Sequence, residues 1–109
     1  MKKILGAAIG TCVHIGGLHH FLKLAEDEGY YAKSLGPAVQ VNRMVDAIRQ
    51  EKPDLVAVSY RLTPEVAAVL FKDLAESLAA NDLSGVRLVF GGTAPVAAVA
   101  KESGLFEHT

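Results

Sequence analysis

Apolar positions along this chain fall into two alternating rhythms. Ile4 to Ile9 is a short apolar run bounded by Gly10, the pattern of a central strand in a parallel sheet. Leu18, Phe21, Leu22 and Ala25 then recur at i, i+3, i+4 and i+7, the stripe of an amphipathic helix. Glu26, Asp27 and Glu28 sit near its end, where they oppose the helix dipole, and Gly29 supplies a stop. Tyr30 to Leu35 reads as a second strand, closed by Gly36-Pro37. Val41, Met44, Val45 and Ile48 form a second helical stripe, broken by Lys52-Pro53-Asp54. Leu55 to Ser59 is a third strand. Thr63-Pro64-Glu65 opens a helix, with Thr63 as cap and Pro64 at the first helical position. Val66, Val69, Leu70, Leu74 and Leu78 are expected on its buried face. Val86 to Phe90 reads as a fourth strand, Gly91-Gly92 as a turn, and Val96 to Glu102 as a short helix ended by Gly104. Leu105-Phe106 begins a fifth strand.

Strands alternating with helices mean βαβ units and a parallel sheet. With right-handed crossovers, the expected arrangement is a doubly wound α/β sheet in the order 2-1-3-4-5. That order reverses direction between strands 1 and 3, and ligands bind in the crevice outside the strand ends at such a point. The loop after strand 1 and Ser59 at the end of strand 3 are expected to flank it.

The chain has 109 residues, enough for one domain over 1–109. Eleven basic and twelve acidic residues leave a net charge of −1, which argues against a broad nucleic-acid surface. A single cysteine, Cys12, makes no internal disulfide and fits a reducing compartment. Met1-Lys2-Lys3 ahead of an apolar stretch raises the question of a signal peptide. Thr11, His14 and His19-His20 interrupt the stretch early, and it reads better as a strand. No apolar run approaches the roughly 18 residues of a membrane span. The expectation is a cytoplasmic protein with no membrane partner.

The chemistry is concentrated in the glycine-punctuated loop Gly10-Thr11-Cys12-Val13-His14-Ile15-Gly16-Gly17. An imidazole there can reach a metal. Other sites fit poorly. His14, His19 and His20 do not complete a tetrahedral zinc set, since the adjacent His19 and His20 point apart on a helix. The loop is neither Gly-x-Gly-x-x-Gly nor a P-loop. A phospho-receiver needs acidic groups where this chain has Thr11, Cys12 and Ser59. Cys12 with His14 lacks a third group to orient a nucleophile pair. Each candidate also has an ordinary reading: His14 as a loop histidine without a ligand, Cys12 as a small buried residue, Ser59 as a hydroxyl bonded to nearby backbone, and Gly91-Gly92 as a tight turn.

Taken in register, Cys12-x-His14-x-x-Gly17, Ser59-x-Arg61 followed by Leu62, and Gly91-Gly92 resemble the cobalamin (vitamin B12)-binding domain family. That family carries Asp-x-His-x-x-Gly after strand 1, Ser-x-Leu after strand 3 and Gly-Gly after strand 4. The resemblance spans nearly the whole chain. It is closest to the small-subunit type of adenosylcobalamin-dependent mutases, which begin directly at strand 1. It implies a flavodoxin-like (Rossmann-like) fold with His14 as the lower axial ligand of cobalt, in place of the cofactor's own dimethylbenzimidazole. The displaced nucleotide tail would then enter the crevice between strands 1 and 3. Gly17 would let the first helical turn pass close to it, Ser59 would offer a hydroxyl to a ring nitrogen, and Gly91-Gly92 would leave room for a flat ring. Cys12 stands where the family's Asp orients the histidine. Arg61 stands where leucine is usual, and its guanidinium favours an anion such as the tail phosphate.

The resemblance implies cobalamin as cofactor, with adenosylcobalamin favoured over methylcobalamin. It implies a catalytic barrel subunit or domain as partner and no turnover by this chain alone; a homo-oligomer is compatible with it. The alternatives are a corrinoid carrier of a methyltransferase system, or a degenerate interaction module that binds no corrinoid. The family's last helix is absent from the sequence, so the domain is expected to be truncated at its C-terminal end.

Overall fold

A computed structural model describes residues 2–10, 12 and 16–109. The elements run β1 (Lys3–Ala8), α1 (Gly16–Asp27), β2 (Tyr31–Ser34), α2 (Val41–Glu51), β3 (Leu55–Tyr60), α3 (Pro64–Ala80), β4 (Leu88–Gly92) and α4 (Ala94–Ser103). The strands form one parallel sheet in the order β2-β1-β3-β4. The alternating pattern and the reversal at β1 are as expected. The fifth strand is reduced to a single parallel bridge between Val89 and His108 on the outer side of β4.

The handedness of the crossovers decides which face each helix covers. The first crossover runs from β1 outward to β2, and the later ones run the opposite way. With the same right-handed sense, α1 must lie on one face and α2, α3 and α4 on the other. Strand residues divide accordingly. Leu5, Ala7, Val56, Val58, Tyr60, Leu88 and Phe90 join Met44, Val45, Ile48, Ala67, Phe71, Leu74, Leu78, Val96 and Ala100 in the main core. Ile4 and Ala57 pack with Leu18, Leu22 and Ala25 of α1 in a smaller one.

Two features depart from the sequence expectation. Along α3 the buried residues are Ala67, Phe71, Leu74 and Leu78, whereas Val66 and Val69 are 47% and 59% exposed. The helix has two apolar stripes, and the one holding Phe71 wins. Its ring meets Phe90 edge-on at 5.3 Å and Phe106 at 5.0 Å. Gly91 and Gly92 are not a turn. They continue β4 in register with Ser59 and Tyr60, and α4 starts after Thr93. The left-handed turn that ends the first strand is Gly10 (φ 68°), packed so closely on Leu70 that a side chain there would collide. The helix start at Thr63 is as expected, with its hydroxyl accepting from the Val66 N–H at 3.3 Å and Pro64 opening the first turn.

Glu51 ties the amino end of β1 and Lys33 of β2 to the end of α2. It accepts from Lys33 Nζ at 2.7 Å and from Lys3 Nζ at 3.2 Å. Lys33 foremost, then Lys3, holds its carboxyl below the ordinary carboxylate range. Because Phe71 is fully buried among two other rings, Phe71→Ala is expected to lower unfolding free energy by about 3–5 kcal/mol in urea denaturation.

Candidate functional site

One helix cannot cover four strands. A helix with its side chains is about 10–12 Å wide, and strands are spaced about 4.8 Å apart, so α1 shields roughly two of them. It lies over β1. A Cβ placed on Gly6 would fall 2.9 Å from Leu18 Cδ1 and within 3.3 Å of Leu22, so the missing side chain is what lets α1 approach so closely. The same face of β3 and β4 is left partly bare beside α1.

A groove of about 580 Å³ occupies that bare area. Gly17, Leu18 and Phe21 of α1 form one wall. Leu55, Ala57 and Ser59 of β3 with Val89 and Gly91 of β4 provide the floor, and Glu107 and His108 border the far side. Arg61 lies at the carboxyl end of β3, and Gly92 also contributes to the lining. The crevice expected between β1 and β3 is therefore displaced by one strand, because Leu18 and Leu22 already fill the space above β1.

Five of the sequence-derived candidates meet in this groove: Gly17, Ser59, Arg61, Gly91 and Gly92. Cys12 does not line it. Cys12 is fully buried in the main core, its N–H donating to Ile9 O at 3.3 Å and its carbonyl accepting from Ala38 N at 2.8 Å. Leu62 is 40% exposed and is also not among the lining residues. His14 lies outside the described residues. In the sequence it stands two positions before Gly16, where α1 begins, and Gly17 is the first residue of the groove wall.

The two glycines of β4 do different work. A Cβ on Gly91 would meet nothing within 4 Å, so its absence leaves open groove. A Cβ on Gly92 would strike the Tyr60 carbonyl and come within 3.0 Å of the Phe90 ring, so that position is closed to side chains by packing. Gly17 resembles Gly91 in facing open space. Ser59 is buried to 7% exposure yet lines the groove, and its side chain is not among the buried polar groups left without a partner.

The far wall was missed by sequence reasoning. Glu107 N donates to Leu88 O at 2.8 Å, and Phe90 N donates to His108 O at 2.9 Å. Arg87 fixes this segment with a two-pronged contact to Glu107: Nη2 to Oε1 at 2.7 Å and Nε to Oε2 at 3.1 Å. This hydrogen-bonded contact with Arg87 holds the Glu107 carboxyl below the ordinary carboxylate range. No local motif marks a pair separated by 20 positions.

The B12-binding domain family model matches residues 2–106, and the chain belongs to that family. Its cofactor class is therefore cobalamin. Among solved structures, the chain is similar to a cobalamin-binding protein from Desulfitobacterium hafniense DCB-2, with a TM-score of 0.84 and 24% identity over 98% of this chain and 51% of that one. It is also similar to the methanol:cobalamin methyltransferase complex MtaBC from Methanosarcina barkeri, with a TM-score of 0.85 and 20% identity over 98% of this chain and 40% of that one. At these identities the likeness is one of fold. The chain spans about half the length of the first structure and two-fifths of the second. No curated protein matches it. No described helix is long and apolar enough to cross a membrane.

The nucleotide tail of cobalamin carries a flat aromatic base on a ribose phosphate. The groove suits it: an apolar floor of Leu55, Ala57 and Val89, open space at Gly17 and Gly91 where a side chain would obstruct a ring, and the Ser59 hydroxyl.

Two outcomes follow from the site's construction. Gly92→Ala is expected to cost about 1–3 kcal/mol of stability by overpacking, whereas Gly91→Ala changes it by less than about 0.5 kcal/mol in urea denaturation. The Glu107 contribution has a definite sign. A carboxyl whose folded-state value is depressed stabilises above its unfolded value and loses that effect as pH falls through the folded one. Hydrogen-exchange protection at the Glu107 and Phe90 amides should decline on acidification, and Glu107→Gln should remove that pH dependence.

Proposed function

We propose that this chain is the cofactor-holding module of a larger B12-dependent enzyme, with His14 as the lower axial ligand of cobalt and the groove beside α1 as the slot for the displaced nucleotide tail. The observation that carries the reading is the groove. It is open at Gly17 and Gly91, apolar at its floor and polar at Ser59. The chain positions leading to its wall are those of the His14 loop.

In this reading each residue has a separate task. His14 would supply a nitrogen lone pair to cobalt, and in the sequence it lies between buried Cys12 and the start of α1 at Gly16. Ser59 offers a hydroxyl to a ring nitrogen of the base. Gly17 and Gly91 keep the slot wide enough for a ring, and Gly92 keeps β4 flat against Tyr60. Leu62 stands one place after the position where the family usually has leucine, and its exposed side chain is available to an apolar macrocycle edge. Cobalamin, when bound, supplies the cobalt–carbon chemistry; the chain supplies binding and orientation. Substrate chemistry requires a second surface above the corrin, which a catalytic barrel subunit or domain provides. The assembled enzyme is a mutase using adenosylcobalamin, or a methyl-transfer system using methylcobalamin.

Mixing the protein with hydroxocobalamin, followed by desalting, is expected to give a coloured protein whose visible spectrum differs from the free cofactor. His14→Ala should retain a folded protein and lose the ligand-exchange component of the spectrum. A wild-type protein that elutes colourless contradicts the cofactor reading, and an unchanged spectrum in His14→Ala contradicts the axial role.

A further inference from the structure

The groove is electrically uneven. At its far wall the Glu107 carboxylate is already matched by Arg87. Its floor over Leu55, Ala57 and Val89 is apolar. Arg61 is different: it is exposed, lines the groove, and among the described residues no carboxylate pairs with it and no hydrogen bond engages its guanidinium. A guanidinium is always charged and presents a planar fork of donors that matches phosphate oxygens.

Position along the groove sharpens the point. From Leu55 to Arg61 the strand climbs about 20 Å, at about 3.3 Å per residue, from the amino end of β3 to its carboxyl end. The covalent order of a cobalamin tail is corrin, aminopropanol linker, phosphodiester, ribose, base. A base lodged low in the slot therefore leaves the phosphodiester nearer the mouth. An anion could not sit on the apolar floor without a large desolvation cost. At the mouth it meets Arg61.

We propose that Arg61 is a specificity-determining residue that binds the phosphodiester of the corrinoid's nucleotide loop, so that the module discriminates phosphate-bearing corrinoids from truncated ones. The proposal rests on the reading of the groove as the slot for that tail. It assigns a gain of function to a position where the resembling family usually has leucine. Part of the interaction is exposed to solvent, so it is modest and salt-sensitive.

The test is a spectral titration of the wild type, Arg61→Leu and Arg61→Lys with three ligands: hydroxocobalamin, cobinamide phosphate and cobinamide. Arg61→Leu is expected to weaken the two phosphate-bearing ligands roughly 3- to 10-fold while changing cobinamide affinity by less than about twofold. Arg61→Lys should recover part of the loss, and added salt should weaken the wild type more than Arg61→Leu. Equal losses for all three ligands, or none for any, would overturn the assignment while leaving the groove reading intact. A wild-type protein that binds none of the three overturns both. Arg61 is exposed, and matching denaturation curves for the three proteins exclude misfolding as the source of a loss.

Discussion

Everything at the site follows from the isolation of α1 on its own face of the sheet. Because the chain steps outward from β1 to β2 and then returns past β1 to β3, a uniform right-handed sense separates α1 from the other three helices. One helix cannot span the sheet. The strip of β3 and β4 beside it forms a groove with an apolar floor. Gly6 fixes where the strip lies, since the contact it permits with Leu18 and Leu22 commits α1 to β1.

Within the strip, side-chain size decides what the surface can receive. Ala57, Ser59 and Gly91 are small, and each stands on the α1 side of its strand. Larger residues in their places would complete an ordinary core. Alternation along β4 sets the two glycines against each other: one faces the groove, and its neighbour faces Tyr60 and Phe90. An adjacent pair of identical residues thus serves ligand space on one face and strand packing on the other. Beneath the sheet, the Phe71, Phe90 and Phe106 rings hold α3, β4 and the C-terminal segment together, which steadies the groove from below.

Much of this was legible in the chain. Apolar periodicity placed the elements to within a few residues, and the reversal at β1 followed from the alternation of strand and helix. The family motif drew together Gly17, Ser59, Arg61 and Gly91-Gly92, which the structure aligns along one groove. What escaped depended on contacts between distant parts of the chain. The choice between two apolar stripes on α3 is made by rings on β4 and beyond α4, which no local pattern encodes. The displacement of the crevice comes from helix width relative to strand spacing. Phe21, Val89, Glu107 and His108 join the lining only because folding brings α1, β4 and the chain's end to one place. Gly-Gly after an apolar run reads as a turn, and only the register with Ser59 and Tyr60 reveals it as strand.

We propose that a histidine of this chain, and not the cofactor's own base, sits beneath cobalt. Paramagnetic resonance of the bound cobalt(II) form, prepared with histidine labelled by the heavy nitrogen isotope, reads the identity of that ligand. The account predicts that the three-line nitrogen splitting collapses to two lines in labelled wild type and that this signature disappears in His14→Ala. A three-line pattern that survives labelling would place the dimethylbenzimidazole on cobalt and contradict the account.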